Sequence, residues 1–483
     1  MKITDKFFNQ AVSTAITNKT LRNITAQKID KYLHDVFLNT ESNALPGMLE
    51  KRYQYTSSML HCLKNNMDRG YVTPAVIKKM LKVFLGDNFK TDRRQKKSVT
   101  REKYFEQYGQ YPPGLCVLSP TQSCNLHCPG CYAVSNEKSR RHLSYETVRH
   151  IAKDMHDIIG SKFMTISGGE PFMYKDNGKT LFDLFEEFND MFFLIYTNGT
   201  LINREVAAKL ARLGNVTPAI SVEGFEKETD DRRGDGTWNR VLEAMENLRG
   251  EGVPFGISVT ATQKNTGILL DDYFYEYFFD ELGATYMWQF QLMPVGRGKE
   301  VTDLMVSPEQ RVKLYHKWEK LIGEKKYCVA DFWNSGALTE GCLAYGRWGG
   351  YFYVNWDGNI MPCVFVPFYQ DNVNDLYAQG KTLADGLQSK LMKNGRQWQN
   401  DYGFENNGER KNILMPCSIR DHFDNFRRNI LPDEAHAENP EAEVIRTKEY
   451  HELLTKFDQE LSELTQEIWE KTYAGYEKEN IGQ

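Results

Sequence analysis

Between Gly114 and about residue 325, short β-rich runs alternate with amphipathic helical segments, and no other feature of the chain narrows its fold as much. Leu115 to Leu118, Phe163 to Ile166, Met191 to Tyr196, Pro218 to Val222, Phe255 to Thr262 and Thr285 to Leu292 read as strands. Val148, Ile151, Ala152, Met155 and Ile159 show what lies between them, a helix with one apolar stripe. Strand, helix, strand in succession implies right-handed crossovers and a parallel sheet. Six such strands predict an α/β protein built on an open or partial barrel. Ligands meet sheets of this kind at the C-terminal strand ends, where chemistry is therefore expected.

The flanks read differently. Up to about residue 90 apolar residues recur at helical spacing; Thr73 and Pro74 open a helix through Val76, Ile77, Met80, Leu81, Phe84 and Leu85, which Gly86 closes. The six basic residues between Arg93 and Lys103 read as a linker or a solvated face. Beyond about residue 325 a stretch rich in glycine and aromatics (Trp348, Tyr351, Phe352, Tyr353, Trp356) looks like a small separate module. After Pro440 a charged helix with Tyr450, Leu453, Leu454, Phe457, Leu461, Leu464 and Ile468 on one face is expected to dock on the core. The 483 residues allow about three domains, and 60 Lys and Arg against 65 Asp and Glu give no reason to expect a nucleic-acid surface. No apolar run approaches the ~20 residues that cross a bilayer, although contact with a membrane surface stays open. Met1 to Gln10 has no signal-peptide apolar core, which argues for a cytoplasmic protein with reduced thiols.

Of nine cysteines, Cys116, Cys124, Cys128 and Cys131 crowd into sixteen residues, which in a reducing compartment suggests metal ligation. Cys116 lies inside the first strand and, like Cys62 on its helix, reads as a buried small hydrophobe. The remaining three follow the first strand as Cys124-Asn-Leu-His-Cys128-Pro-Gly-Cys131-Tyr132. One short C-x3-C-x2-C loop can turn three thiolates to a common centre. Zinc structural sites close with four ligands, whereas a four-iron cluster with one non-cysteine position can bind a ligand at its unique iron; cluster, zinc and plain structural cysteine all stay open on spacing alone. His127, within the loop, is given no role.

Further strand ends carry Ser167-Gly168-Gly169-Glu170-Pro171, Thr197-Asn198-Gly199-Thr200, and Ser221-Val-Glu223-Gly224 followed by Asp230, Arg233 and Gly234. Together with the cysteine loop, and in this order, they resemble the radical S-adenosylmethionine (SAM) superfamily. Cys124, Cys128 and Cys131 would hold its 4Fe-4S cluster. Gly168, Gly169, Glu170 and Pro171 match its GGEP segment, which contacts the methionine amino group; Asn198 matches its TNG turn; Ser221 and Arg233 match the groups on the methionine carboxylate. Tyr132 matches its aromatic near the adenine. The chain departs at Glu223, where an Asp is usual and a ribose contact is implied, and at Thr229, where a His is usual. Gln291-Leu-Met-Pro294-Val-Gly296-Arg297 also resembles a segment of the subfamily, and reads equally as a loop closing the barrel.

Cys342, Gly358 and Cys363 give C-x15-G-x4-C, similar to the opening of the superfamily's SPASM and twitch extensions, and Cys417 resembles their terminal cysteine. The four-cysteine block between these points is missing, so the resemblance implies at most one auxiliary 4Fe-4S cluster, with Cys328 a weak candidate for its fourth ligand. The implied architecture is a partial (β/α)6 TIM-like barrel over 111–325, with an N-terminal helical domain and basic linker over 1–110. A small C-terminal auxiliary-cluster domain over 326–430 and a helical extension over 431–483 complete it. The implied activity is reductive cleavage of SAM to a 5′-deoxyadenosyl radical, which takes a hydrogen atom from an unactivated carbon, with an electron donor such as flavodoxin or ferredoxin. The substrate is a peptide or protein, or a lipid or small metabolite. The N-terminal helices are not a strand-rich leader-binding module, and the basic stretch with Val364-Phe-Val-Pro-Phe-Tyr369 would suit a bulky apolar substrate. The alternative is a non-catalytic iron-sulfur or zinc protein that transfers electrons or binds a partner.

Overall fold

The computed structural model describes residues 17–39, 44–85, 93–404 and 410–475. Six parallel strands stand side by side in chain order: β1 (Leu115–Leu118), β2 (Phe163–Ile166), β3 (Phe192–Thr197), β4 (Val216–Val222), β5 (Gly256–Ala261) and β6 (Tyr286–Gln291). Each expected strand is present, its ends within two residues of the expected ones. Their side chains alternate between two environments, as the pleat demands. On β6, Trp288 and Phe290 face an interior cavity while Met287 and Gln289 are buried in the layer of helices outside.

The sheet does not stop at six strands. β7 (Val329–Asp331) adds in parallel beside β6, and β8 (Tyr351–Val354) adds in parallel on the far side of β1, Leu115 opposite Tyr351 and Leu118 opposite Val354. β9 (Asn359–Met361) runs antiparallel to β8, and β11 (Asp371–Asn372) antiparallel to β9. β10 (Phe368–Tyr369) lies outside, paired with His436–Ala437. The stretch expected to form a separate module is thus continuous with the barrel sheet. The physical reason is edge exposure: β1 and β6 would otherwise present unpaired backbone, and the wholly buried Tyr-Phe-Tyr-Val of β8 needs cover on both faces.

Among the described residues, four helices precede the barrel: α1 (Lys19–Leu38), α2 (Pro46–Asp68), α3 (Pro74–Leu85) and α4 (Arg93–Tyr108). Pro74 opens α3 as expected; Gly86 lies outside the described residues, as do Met1 to Gln10. The basic stretch read as a linker lies in α4, because Lys and Arg are good helix formers and Tyr104, buried to 2% exposure, anchors the helix while Lys103 stays in water. The late helix Lys448–Trp469 buries Tyr450, Leu454, Phe457, Leu461 and Trp469. Leu453 and Leu464, expected on the same face, are exposed, since the 3.6-residue period carries them to its flank. Among the described residues no helix is long and apolar enough to cross a membrane.

Candidate active site

The loops at the C-terminal ends of β1 to β6 converge on a cavity of about 270 Å³. Cys124, Cys128 and Cys131 stand on its wall with Tyr132, Gly168, Gly169, Asn198, Ser221 and Arg233. Nine of the fifteen expected site residues therefore meet in one place. Three of the others are held nearby in roles that the sequence did not disclose.

Glu170 is fully buried and its carboxylate does not reach the cavity. One oxygen accepts from Thr197 Oγ1 at 2.8 Å and Phe172 N at 3.1 Å, the other from Asn198 N at 2.8 Å. It straps the end of β2 to the end of β3. Burial raises its pKa to about 7 against the pull of those donors. Pro171 is buried too, opening the short turn Pro171–Met173. The backbone of Gly168 and Gly169 is what this segment offers a ligand. Both glycines are obligatory: Gly168 holds φ +126°, and a Cβ on Gly169 would lie 2.1 Å from Ser123 O.

Glu223 is 2% exposed, and a single oxygen accepts from Arg232 Nη1 at 2.6 Å and from Arg233 Nε and Nη2 at 2.9 and 2.6 Å. Its other oxygen is buried without a protein partner, an acceptor awaiting a hydroxyl or amine. Thr229, where a histidine is usual, accepts from Glu223 N at 3.2 Å and so holds the backbone that carries that carboxylate. Asp230 instead receives Trp238 N and Gly236 N, capping the next helix. Arg232, which the motif reading passed over, lines the cavity beside Arg233.

The cysteine loop is gripped from both sides. Asn198 Nδ2 donates to Asn125 Oδ1 at 2.8 Å and reaches Cys124 Sγ at 3.8 Å, and Leu126 N lies 3.5 Å from the same sulfur. Opposite, the segment after β6 brings Arg297 Nε to Cys128 O at 3.1 Å and Nη1 to Ser135 O at 2.9 Å, with Gly296 packed on the Tyr132 backbone. The loop expected to close the barrel is a brace. Arg297 could have been suspected from its place between two glycines. His127 is exposed.

Burial pushes the Cys124 thiol up to about 12 and raises that of Cys128, which Arg233 and Arg232 pull back down. Thiols in so dry a place become thiolates when a metal displaces their protons. Among the described residues no three His, Cys, Asp or Glu side chains are gathered tightly enough to grip a single ion. Three thiols on one cavity wall, with two guanidinium groups beside them to balance negative charge, are donors that a four-iron cluster can use. The donor set fits.

Cys342, Cys363 and Cys417 line a second cavity of about 420 Å³. Cys342 precedes β8, Cys363 follows β9, and Gly358, at φ +88°, makes the turn between those strands. Burial raises all three thiols, that of Cys363 to about 12. Cys417 N donates to Asp421 Oδ2 at 3.0 Å, and Asp421 is paired in the interior with Arg311. Cys328 is not brought to them: it sits in the core with its backbone N–H on Cys62 Sγ at 3.4 Å. Cys116 is fully buried on β1. Trp288, Phe332, Leu343 and Tyr351 belong to the walls of both cavities. Phe290, Phe365 and Val364 extend this apolar lining. The chamber was illegible in the sequence because its walls come from β6, β7, β8 and the loop after β9.

A parallel barrel that carries a thiol loop above a dry cavity, with arginines, a serine and bare glycine backbone beside it, defines a class of metal-cluster enzyme using a small charged cofactor. The model of the radical SAM superfamily matches residues 118–263. A mycofactocin maturase, MftC, of Mycobacterium ulcerans is 31% identical, over 60% of this chain and 76% of the relative. An AdoMet-dependent heme synthase of Methanosarcina barkeri is 27% identical, over 54% of this chain and 80% of that one. A crystal structure of Streptococcus suis SuiB bound to precursor peptide SuiA aligns with 62% of this chain and 71% of its own, at 17% identity and a TM-score of 0.49. The chain belongs to the radical SAM superfamily, and a 4Fe-4S cluster and SAM are its cofactors.

Proposed function

We propose that this enzyme modifies peptides, drawing a side chain into the apolar chamber between its two sets of cysteines. The observation that carries the reading is the chamber itself. The cavity lies between the residues that would hold SAM and an apolar wall that suits an amino-acid side chain. Its remaining wall is aromatic, and the maturase named above points to the same substrate class. In this reading Cys124, Cys128 and Cys131 hold the SAM-cleaving cluster. Arg233 and Ser221 hold the methionine carboxylate, and the Gly168 and Gly169 backbone takes the amino end. Tyr132 stacks near the adenine, and the free oxygen of Glu223 receives a ribose hydroxyl. Residues 111–325 form the SAM-cleaving unit, and 326–430 carry an auxiliary cluster on Cys342, Cys363 and Cys417. The described helices of 1–110 and of 431–483 cover them. A small iron-sulfur or flavin electron donor supplies the reducing equivalent.

When bound, the cluster supplies the electron that splits SAM into methionine and a 5′-deoxyadenosyl radical. The chain contributes placement and exclusion. Arg232 and Arg233 orient the cofactor, Arg297 and Asn198 fix the cysteine loop, and Trp288, Phe290 and Phe365 keep water from a carbon-centred radical.

The test uses anaerobically reconstituted protein, SAM and dithionite. 5′-Deoxyadenosine should form with the wild type and fall to background in Cys124→Ala, Cys128→Ala and Cys131→Ala. With side-chain-deuterated peptides encoded beside its gene, deuterium should appear in the 5′-deoxyadenosine. Transfer of label from iron-coproporphyrin alone would overturn the peptide reading.

A further inference from the structure

Tyr351 stands where the two cavities meet. Its register opposite Leu115 turns the ring inward from β8, and it belongs to both walls. Its hydroxyl lies 2.8 Å from Cys363 Sγ and has no other hydrogen-bond partner among the described residues. The same sulfur receives Phe365 N at 3.4 Å. A sulfur that ligates iron carries no proton, so the phenol must be the donor. On the other side of the chamber Cys124 Sγ has only longer contacts, from Leu126 N at 3.5 Å and Asn198 Nδ2 at 3.8 Å.

Hydrogen bonds to cluster sulfurs favour the reduced, more negative state and so raise the reduction potential. The two centres therefore differ in a way that the sequence spacing of their cysteines does not reveal. We propose that Tyr351 is a positioning residue whose hydrogen bond to Cys363 raises the potential of the second centre and whose ring exposes that centre to whatever fills the substrate chamber. The proposal rests on the reading that Cys342, Cys363 and Cys417 hold a cluster, and it goes beyond that reading in naming the residue that sets the cluster's poise.

The experiment needs no substrate. Full-length protein is reconstituted without oxygen as wild type, as Tyr351→Phe, and with 3,5-difluorotyrosine, a more acidic phenol and a stronger donor, at position 351. Iron is counted and each centre is titrated by electron paramagnetic resonance against solution potential. Iron content should match in all three. The midpoint of the second centre should move negative in Tyr351→Phe and positive with difluorotyrosine, while the first centre stays fixed. A deuteron coupling to the second centre, present in wild type exchanged into heavy water, should vanish in Tyr351→Phe. A midpoint unchanged across the set overturns the proposal; if Tyr351→Phe fails to hold iron, the fluorinated protein alone decides the sign. Wild-type iron equal to that of Cys363→Ala would instead overturn the cluster reading, and this proposal with it.

Discussion

Asp458 accepts Phe423 N at 2.7 Å with one oxygen and buries the other without a partner. Burial pushes its carboxyl up to about 8, and Asp421 nearby adds to the rise while Arg311 and Arg420 oppose it. In the unfolded chain the same group ionises near pH 4. Between these values the folded protein binds more protons than the unfolded one, so this residue makes stability fall as pH rises from about 4 to about 8. The slope it contributes approaches 1.4 kcal/mol per pH unit in mid-window. Asp458→Asn keeps an acceptor for Phe423 N and removes the titration. Urea unfolding of the two proteins at pH 5 and pH 8 should show the variant gaining relative stability at the higher pH. Parallel profiles would mean that the carboxyl is ionised in the fold.

At the scale of elements, the cysteine loop is held by neighbours rather than by its own conformation. Gly169 makes this testable, since a Cβ there meets Ser123 O at 2.1 Å and Gln122 O at 2.6 Å, both backbone atoms just before Cys124. Gly169→Ala should push the loop off its seat and cost more than half of the iron at the first centre. Iron at the second should be retained, read by metal analysis in the Cys363→Ala background and in wild type. What the sequence disclosed divides along the same line. Strand periods and the spacing of Cys124, Cys128 and Cys131 are local, and they were legible. Glu170 was expected at the ligand and works as a strap, because a motif does not say which way a side chain turns. The pairing of β8 with β1 joins residues more than two hundred positions apart and left no local mark. Arg297 and Tyr351 acquire their roles from such long-range contacts, and α4 was missed because its charged run hides a buried anchor, Tyr104.

In the whole molecule the N-terminal helices have a specific seat. Phe37 of α1 and Arg52, Tyr55 and Thr56 of α2 form part of the wall of the second cavity. α2 is pinned at both ends. Asn66 Nδ2 donates to Gly283 O at 2.7 Å and Thr285 Oγ1 at 3.0 Å, while Arg52 reaches Glu340 Oε1 at 2.7 Å and Leu338 O at 3.2 Å. The Arg52–Glu340 pair is about one-fifth exposed, so its loss should cost only about 1 kcal/mol of global stability. Its effect on access should be larger, because Arg52 itself stands in the wall of the second cavity. Arg52→Ala should therefore speed amide exchange around Arg52 to Thr56 and accelerate loss of iron from the second centre to an added chelator. The first centre, on the far side of Trp288 and Phe332, should lose iron at the wild-type rate. Equal and unchanged rates at both centres would make the helices a passive cover, whereas selective loss at the second identifies α2 as the wall that separates it from solvent.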